Sequence, residues 1–187
     1  MHTRLYRISG TTPARLFVTI LLLVTVHFWW LWAVLLAVDL GFAALAHVLT
    51  PIFVGALSLP LVVLIIGLAL HETGHLYMMR LRSGDPAAGR LLLGPGQLGI
   101  VRPAFRSARD EVLVACAGPI LSLMIGLAAT VPGWLLHAWL LVGCGLLLVA
   151  HVLCLSPWWS DGRAAWEAIR GSTRSPSNRI PSSAVRP

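Results

Sequence analysis

The chain has 187 residues, of which 57% are hydrophobic and 11% are charged, with a formal net charge of +7. So little charge is atypical of a soluble domain and predicts an all-α membrane protein, a polytopic bundle of about four spans with a small hairpin or loop insert. The positive charge comes from arginines outside the apolar runs, which is typical of cytoplasmic segments that flank the spans and contact lipid headgroups. Nucleic-acid binding is not predicted, because the sequence shows no basic face with aromatic residues for base stacking.

Residues 1–15 are polar and basic and predict a cytoplasmic N-terminal segment, followed by a membrane-embedded domain over residues 16–171. Leu16–Val38 is long enough for one span. A cleaved signal peptide is the competing interpretation, but the apolar run is longer than a signal h-region. Residues 39–57 are apolar, short and interrupted by Pro51, and we interpret them as an extracytoplasmic re-entrant or interfacial piece. A further full span there would put the following arginines outside, against the positive-inside tendency.

The next apolar run, Leu59–Leu81, contains the pattern H-E-x-x-H at residues 71–75. Side chains four residues apart share a helix face, so His71 and His75 can reach one metal ion. Glu72 lies beside that face, where a carboxylate can take a proton from water, and the pattern is the zinc-hydrolase signature.

Glu72 is the only formally charged side chain between Leu59 and Met79. An ionisable group inside a spanning segment is costly, which favours a functional motif over a chance match. Haem ligation or metal transport by the two histidines remains the alternative, and neither use requires Glu72.

The start of this helix is predicted at Ser58 and Pro60, a capping residue followed by a first-turn proline. Residues 83–108 are rich in glycine and proline, with a turn signal at 94–96 between two short apolar stretches; a hairpin and an ordinary basic loop are both consistent with the pattern. If it is a hairpin with a free edge, an unwound substrate can pair with it. Val112–Val131 predicts the next span, a turn is expected at Pro132 and Gly133, and Trp134–Leu155 crosses back.

Asp161 follows the last span and admits two interpretations. It is either the N-cap of a juxtamembrane helix or a third metal ligand. A straight helix would carry it past the membrane edge, so the second interpretation requires the chain to break at Pro157 and fold back. His151, on the span before it, is interpreted as a core or interfacial residue. Residues 172–187 are polar and rich in serine, proline and arginine, which is typical of a disordered tail, here expected in the cytoplasm.

Three stretches together resemble the site-2 protease family of intramembrane zinc metalloproteases, the M50 type: HETGH at 71–75, AGPILS at 117–122 and SDG at 160–162. They correspond to the family's H-E-x-x-H, its A-G-P-x-x-N stretch and its D-G motif after a proline-broken helix. The chain resembles the compact members of the family, because no PDZ-like insert fits between the motifs.

The resemblance implies that His71, His75 and Asp161 bind Zn²⁺ and that Glu72 is the general base. Gly118, Pro119 and Ser122 would support the substrate or the oxyanion, although Ser122 replaces the family's usual asparagine.

The resemblance further implies hydrolysis of a peptide bond within or near the transmembrane segment of a membrane-protein substrate, for example a single-span anti-sigma factor. The expected location is a bacterial cell membrane with both termini cytoplasmic. The alternatives are a metal- or haem-binding transporter or redox protein, and a catalytically idle membrane scaffold.

Overall fold

The structure is a computed structural model that describes residues 3–8, 12–45, 52–94, 97–103, 105 and 107–171. It is about 76% helical with little sheet, which confirms the predicted all-α membrane bundle. The elements along the chain are β1 (Arg4–Tyr6), α1 (Pro13–His27), α2 (Trp29–Leu45), α3 (Ile52–Ser83), β2 (Arg90–Gly94), β3 (Gln97–Val101), α4 (Ala108–Leu135), α5 (Trp139–Val149), a 3₁₀ helix (Ala150–Leu155) and α6 (Ser160–Gly171).

Three helical stretches among the described residues are long and apolar enough to cross a membrane: Leu59–Ser83, Ala108–Leu135 and Trp139–Gly171. Helices α1 and α2 make a fourth if they are counted as one span, although they are bent by 62°. The span predicted over Leu16–Val38 is therefore present as a bent pair of helices. The backbone of Phe28 leaves the helical region (φ −96°, ψ 29°), which ends α1 within that run.

The helix that carries the H-E-x-x-H pattern begins earlier than predicted. Helix α3 starts at Ile52 and runs through Pro60, so the predicted start at Ser58 is wrong. A proline inside a helix removes only one backbone hydrogen bond, and the apolar sequence on both sides lets the helix continue. Residues 39–45 belong to α2 and residues 52–57 to α3, so residues 39–57 do not form the separate segment we expected; residues 46–51 lie outside the described part.

The hairpin interpretation of residues 83–108 is confirmed, because β2 and β3 pair in antiparallel fashion. Strand β1 was not predicted; it pairs with the other side of β2, so that the described sheet has the order β1-β2-β3. Leu91 and Leu93 of β2 are fully buried against α1 and α3. The Arg80 guanidinium of α3 donates to the carbonyls of Ile8 (2.6 Å) and Ala88 (3.3 Å), which connects the segments after β1 and before β2 to the motif helix.

Helix α4 begins after Ser107, whose hydroxyl accepts a hydrogen bond from the Asp110 backbone N–H (3.1 Å). It continues through Pro132 to Leu135, so the turn lies at residues 136–138 and the predicted turn at Pro132 and Gly133 is wrong. A Cβ on Gly133 would lie 3.0 Å from the Val142 backbone nitrogen of α5. The glycine therefore allows α4 and α5 to approach closely, a use that the sequence pattern does not separate from a turn.

Candidate metal centre

Three side chains from distant parts of the chain meet inside the bundle. The Nε2 atoms of His71 and His75 lie 3.0 Å apart on one face of α3, as their four-residue spacing predicts. Asp161 Oδ2 lies 2.9 Å from His71 Nε2 and 3.2 Å from His75 Nε2. All three residues are buried, so the donor atoms face one another away from bulk solvent.

Asp161 reaches this position because the last span breaks before it. Helix α5 ends at Val149, a 3₁₀ helix follows, and Ser156 is extended (ψ 144°) before α6 begins at Ser160. A Cβ on Gly162 would collide with the Ser156 carbonyl oxygen, so the tight return of the chain requires glycine there. Asp161 lies in the first turn of α6, with its side chain turned back toward α3 rather than capping a helix.

The three donor atoms fit a small metal ion. In tetrahedral zinc coordination with bonds of 2.0–2.1 Å, neighbouring donors are about 3.3 Å apart. The observed separations of 2.9–3.2 Å need only a slight expansion to reach that geometry. The described residues thus contain a buried group, two imidazoles and one carboxylate, that could hold a metal ion.

No match was found in comparisons with protein-family models, with curated proteins or with solved structures.

His71, His75 and Asp161 form a triangle of candidate ligands, and two of the three are also held by residues outside this triangle. The His75 Nδ1–H donates to the Val114 carbonyl of α4 (2.6 Å), which leaves the Nε2 lone pair directed at the site. The Arg102 guanidinium binds Asp161 Oδ1, so only Oδ2 faces the histidines. In sequence, Arg102 is one of several arginines that follow the motif helix, and no sequence pattern predicts its contact with Asp161. His71 differs from them, because its Nδ1 is buried and has no hydrogen-bond partner in the part of the chain that the structure describes.

The triangle lies on the wall of a cavity of about 570 Å³, a size that can enclose several atoms of a bound peptide. Glu72 lines this cavity next to His71, and β3 contributes the segment 98–100. His151 also lines it, although the sequence analysis placed this histidine in the core or the interface. Its buried position beside the triangle arises from the break after α5, which periodicity alone does not reveal.

The three residues predicted to support the substrate or the oxyanion lie behind the histidines. Gly118, Pro119 and Ser122 are buried on α4, and none of them is among the residues that line the cavity. A Cβ on Gly118 would lie 2.5 Å from His75 Nε2, and the Ser122 hydroxyl donates a long hydrogen bond (3.5 Å) to the Gly67 carbonyl. Their predicted part in substrate binding remains a prediction, and in the structure they allow α3 and α4 to pack closely.

Proposed function

We propose that this protein is an intramembrane zinc metalloprotease of the site-2 protease type. It would hydrolyse a peptide bond within or near the transmembrane segment of a membrane-protein substrate. The observation that carries this proposal is the buried group of His71, His75 and Asp161 in a helical membrane bundle, with Glu72 on the wall of the same cavity. The sequence resemblance described above points to the same activity.

Zinc is the ion we propose, because His71, Glu72 and His75 form the H-E-x-x-H pattern of zinc hydrolases. Two imidazoles and one carboxylate are the ligands of several catalytic zinc sites, in which a fourth position stays open. When bound, zinc would lower the pKa of a coordinated water molecule to about 7 and polarise the carbonyl of the scissile bond.

The protein's own groups supply the proton transfer. Glu72 neighbours His71 in sequence and shares its cavity, so its carboxylate can take a proton from the attacking water. The same carboxyl group can then protonate the leaving amine, which balances the hydrolysis. The walls formed by α3, β3 and α6 limit the water around Glu72, which strengthens its electrostatic effect on the reacting groups.

The exposed edge of the hairpin supports an extended substrate. In the described sheet β3 has a strand neighbour on one side only, and Leu98, Gly99 and Ile100 line the cavity that contains Glu72. Peptide groups of a spanning helix are already hydrogen-bonded to one another, so the substrate must unwind locally before attack. Pairing with β3 would replace the lost helical hydrogen bonds and present the peptide to the site.

The geometry argues against the two alternatives. A haem held by two histidines needs its imidazoles on opposite faces of the ring, whereas those of His71 and His75 come from one helix and lie 3.0 Å apart. A transporter or an idle scaffold does not require Glu72, and a buried carboxylate with no role is costly to keep in a membrane.

The substrate and the setting follow from the resemblance. A single-span membrane protein, such as an anti-sigma factor, is the expected partner, and the expected location is a bacterial membrane with both termini in the cytoplasm. The arginines of the hairpin region agree with that orientation.

The test is the zinc content of the detergent-purified protein, measured together with cleavage of a spanning model peptide. We expect near-stoichiometric zinc in the wild type and in Glu72→Gln, loss of zinc in His75→Ala, and cleavage by the wild type alone. Cleavage by Glu72→Gln at the wild-type rate would refute the mechanism. A haem spectrum, or wild-type protein without zinc, would refute the assignment.

A further inference from the structure

The two candidate histidine ligands are supported unequally. A metal-bound histidine normally donates its second ring N–H to a carbonyl, a carboxylate or a water molecule, which fixes the ring and its tautomer. His75 has such a partner in the Val114 carbonyl. His71 has none among the described residues, although its Nδ1 is buried and its Nε2 faces the metal position. A buried N–H without an acceptor destabilises the folded protein, so this atom points to a missing partner.

His151 is the polar side chain placed to supply it. Its ring centre lies 5.9 Å from that of His71, and both rings line the same cavity. The His151 ring packs directly against the backbone of Gly67, where any other residue would have a side chain. Gly67 lies one turn before His71 on the same face of α3. A Cβ on Gly67 would lie 2.6 Å from His151 Cε1 and 3.0 Å from its Nε2.

The hydrogen bonding of His151 settles which nitrogen can accept. Its Nδ1 lies 3.2 Å from the Leu147 carbonyl oxygen. A carbonyl only accepts, so Nδ1 carries the proton of the neutral ring and Nε2 carries the lone pair. His151 thus presents a hydrogen-bond acceptor on the side of the ring that faces α3.

We propose that His151 is a positioning residue of the metal centre, whose Nε2 accepts a hydrogen bond directly from His71 Nδ1–H. The ring centres lie 5.9 Å apart, less than about 1 Å beyond the separation of a directly bonded imidazole pair, and the buried Nδ1 leaves no room for a bridging water, so a small movement of the two rings forms the bond. His151 would then do for His71 what the Val114 carbonyl does for His75. This inference rests on the metal centre of the proposed function.

The test compares two substitutions that both remove the imidazole ring. His151→Leu leaves no acceptor, whereas His151→Gln places an amide oxygen near the position of Nε2. The zinc dissociation constant is measured by competition with a chromophoric chelator, and the absorption bands of the Co²⁺-substituted protein report the ligand geometry. His27→Leu is the matched control, because it removes a histidine that donates to a backbone carbonyl (Gly94, 3.3 Å) away from the metal centre.

Loss of second-sphere support typically weakens metal binding about 10–100-fold, so we expect that change for His151→Leu, with an altered Co²⁺ spectrum. His151→Gln should restore most of the affinity, and His27→Leu should bind zinc as the wild type does. Equal affinities of the Leu variant and the wild type would overturn the inference. Equal weakening by Leu and Gln would overturn it too, because only ring packing would then matter.

Two further measurements separate this inference from the proposed function. Zinc bound by the wild type but not by His75→Ala establishes the centre whatever happens at residue 151, and wild-type protein that binds no zinc overturns both proposals. If His151→Leu fails to fold, Gly67→Ala takes its place, since a Cβ at that position displaces the His151 ring while residue 151 is unchanged. Its zinc affinity should also fall about 10-fold or more, and wild-type affinity would count against His151.

Discussion

Gly118→Ala is the substitution that tests the geometry of the metal centre most directly. Residue 118 lies on α4 where it crosses α3, and the added methyl group would lie 2.5 Å from His75 Nε2 and 2.6 Å from the His71 carbonyl oxygen. Ordinary contacts begin at 3.4 Å, so the imidazole would have to retreat by about 0.9 Å or the two helices would have to separate. The backbone carbonyl of His71 cannot move away without distorting α3.

The size of that displacement determines the expected result. Zinc–nitrogen distances in real sites stay within about 0.2 Å of their usual values, so a shift several times larger removes His75 from coordination. Overpacking of this kind costs about 1–3 kcal/mol of folding free energy, which a bundle of this size tolerates. We therefore expect a folded protein that has lost most of its bound zinc and all of its peptidase activity.

The assay is zinc per protein by elemental analysis, with thermal unfolding of the same detergent-solubilised samples. Gly143→Ala is the matched control, because it is the same change within a membrane helix and its new Cβ would have no neighbour within 4 Å. This control should keep its zinc and unfold at or above the wild-type temperature, since alanine favours a helix over glycine. A Gly118→Ala protein that keeps full zinc and full activity would refute the close approach of α4 to His75.

Three other outcomes follow from the same site. Glu72→Gln should retain zinc and lose at least about 100-fold in turnover, as expected for removal of a general base; kinetics beside elemental analysis check this, and normal turnover would contradict it. Asp161→Ala should lower zinc affinity by several orders of magnitude, because one of three protein ligands is gone; chelator competition checks this, and unchanged affinity would reduce Asp161 to a partner of Arg102. Gly162→Ala should force the chain away from the Ser156 carbonyl and so lower the zinc content, although no ligand is replaced. An unchanged zinc content in this variant would show that the backbone can accommodate the methyl group without displacing Asp161.

The two histidines of the site are close in sequence, and their arrangement could be predicted from the sequence alone. The placement of His71 and His75 on one helix face depends only on the helical repeat, and the structure has it as expected. The proximity of Asp161 could be predicted only as a condition, namely that the chain breaks at Pro157 and returns. The structure meets that condition, with an extended residue at Ser156 and the carboxylate 2.9 Å from His71.

What the sequence could not provide depends on long-range contacts. Strand β1 is three residues long, too short for a hydrophobic period to identify it, and it forms because β2 offers an open edge. Arg102 and His151 look like an interfacial arginine and a buried histidine in sequence, and only the three-dimensional arrangement brings them to the centre. The misplaced turn at Pro132 has a similar cause, since a glycine that serves helix packing and one that ends a helix look alike in sequence.

The route of the chain to Asp161 has a consequence for biogenesis. This candidate ligand lies 90 residues after His71, within the last of the three long apolar stretches, so the site cannot be completed until that stretch has been synthesised and inserted. A nascent chain that ends before Asp161 holds two of the three candidate ligands and Glu72, yet it cannot assemble the full site. Under the proposed function, such a chain would bind zinc weakly and would not cleave neighbouring proteins in the membrane.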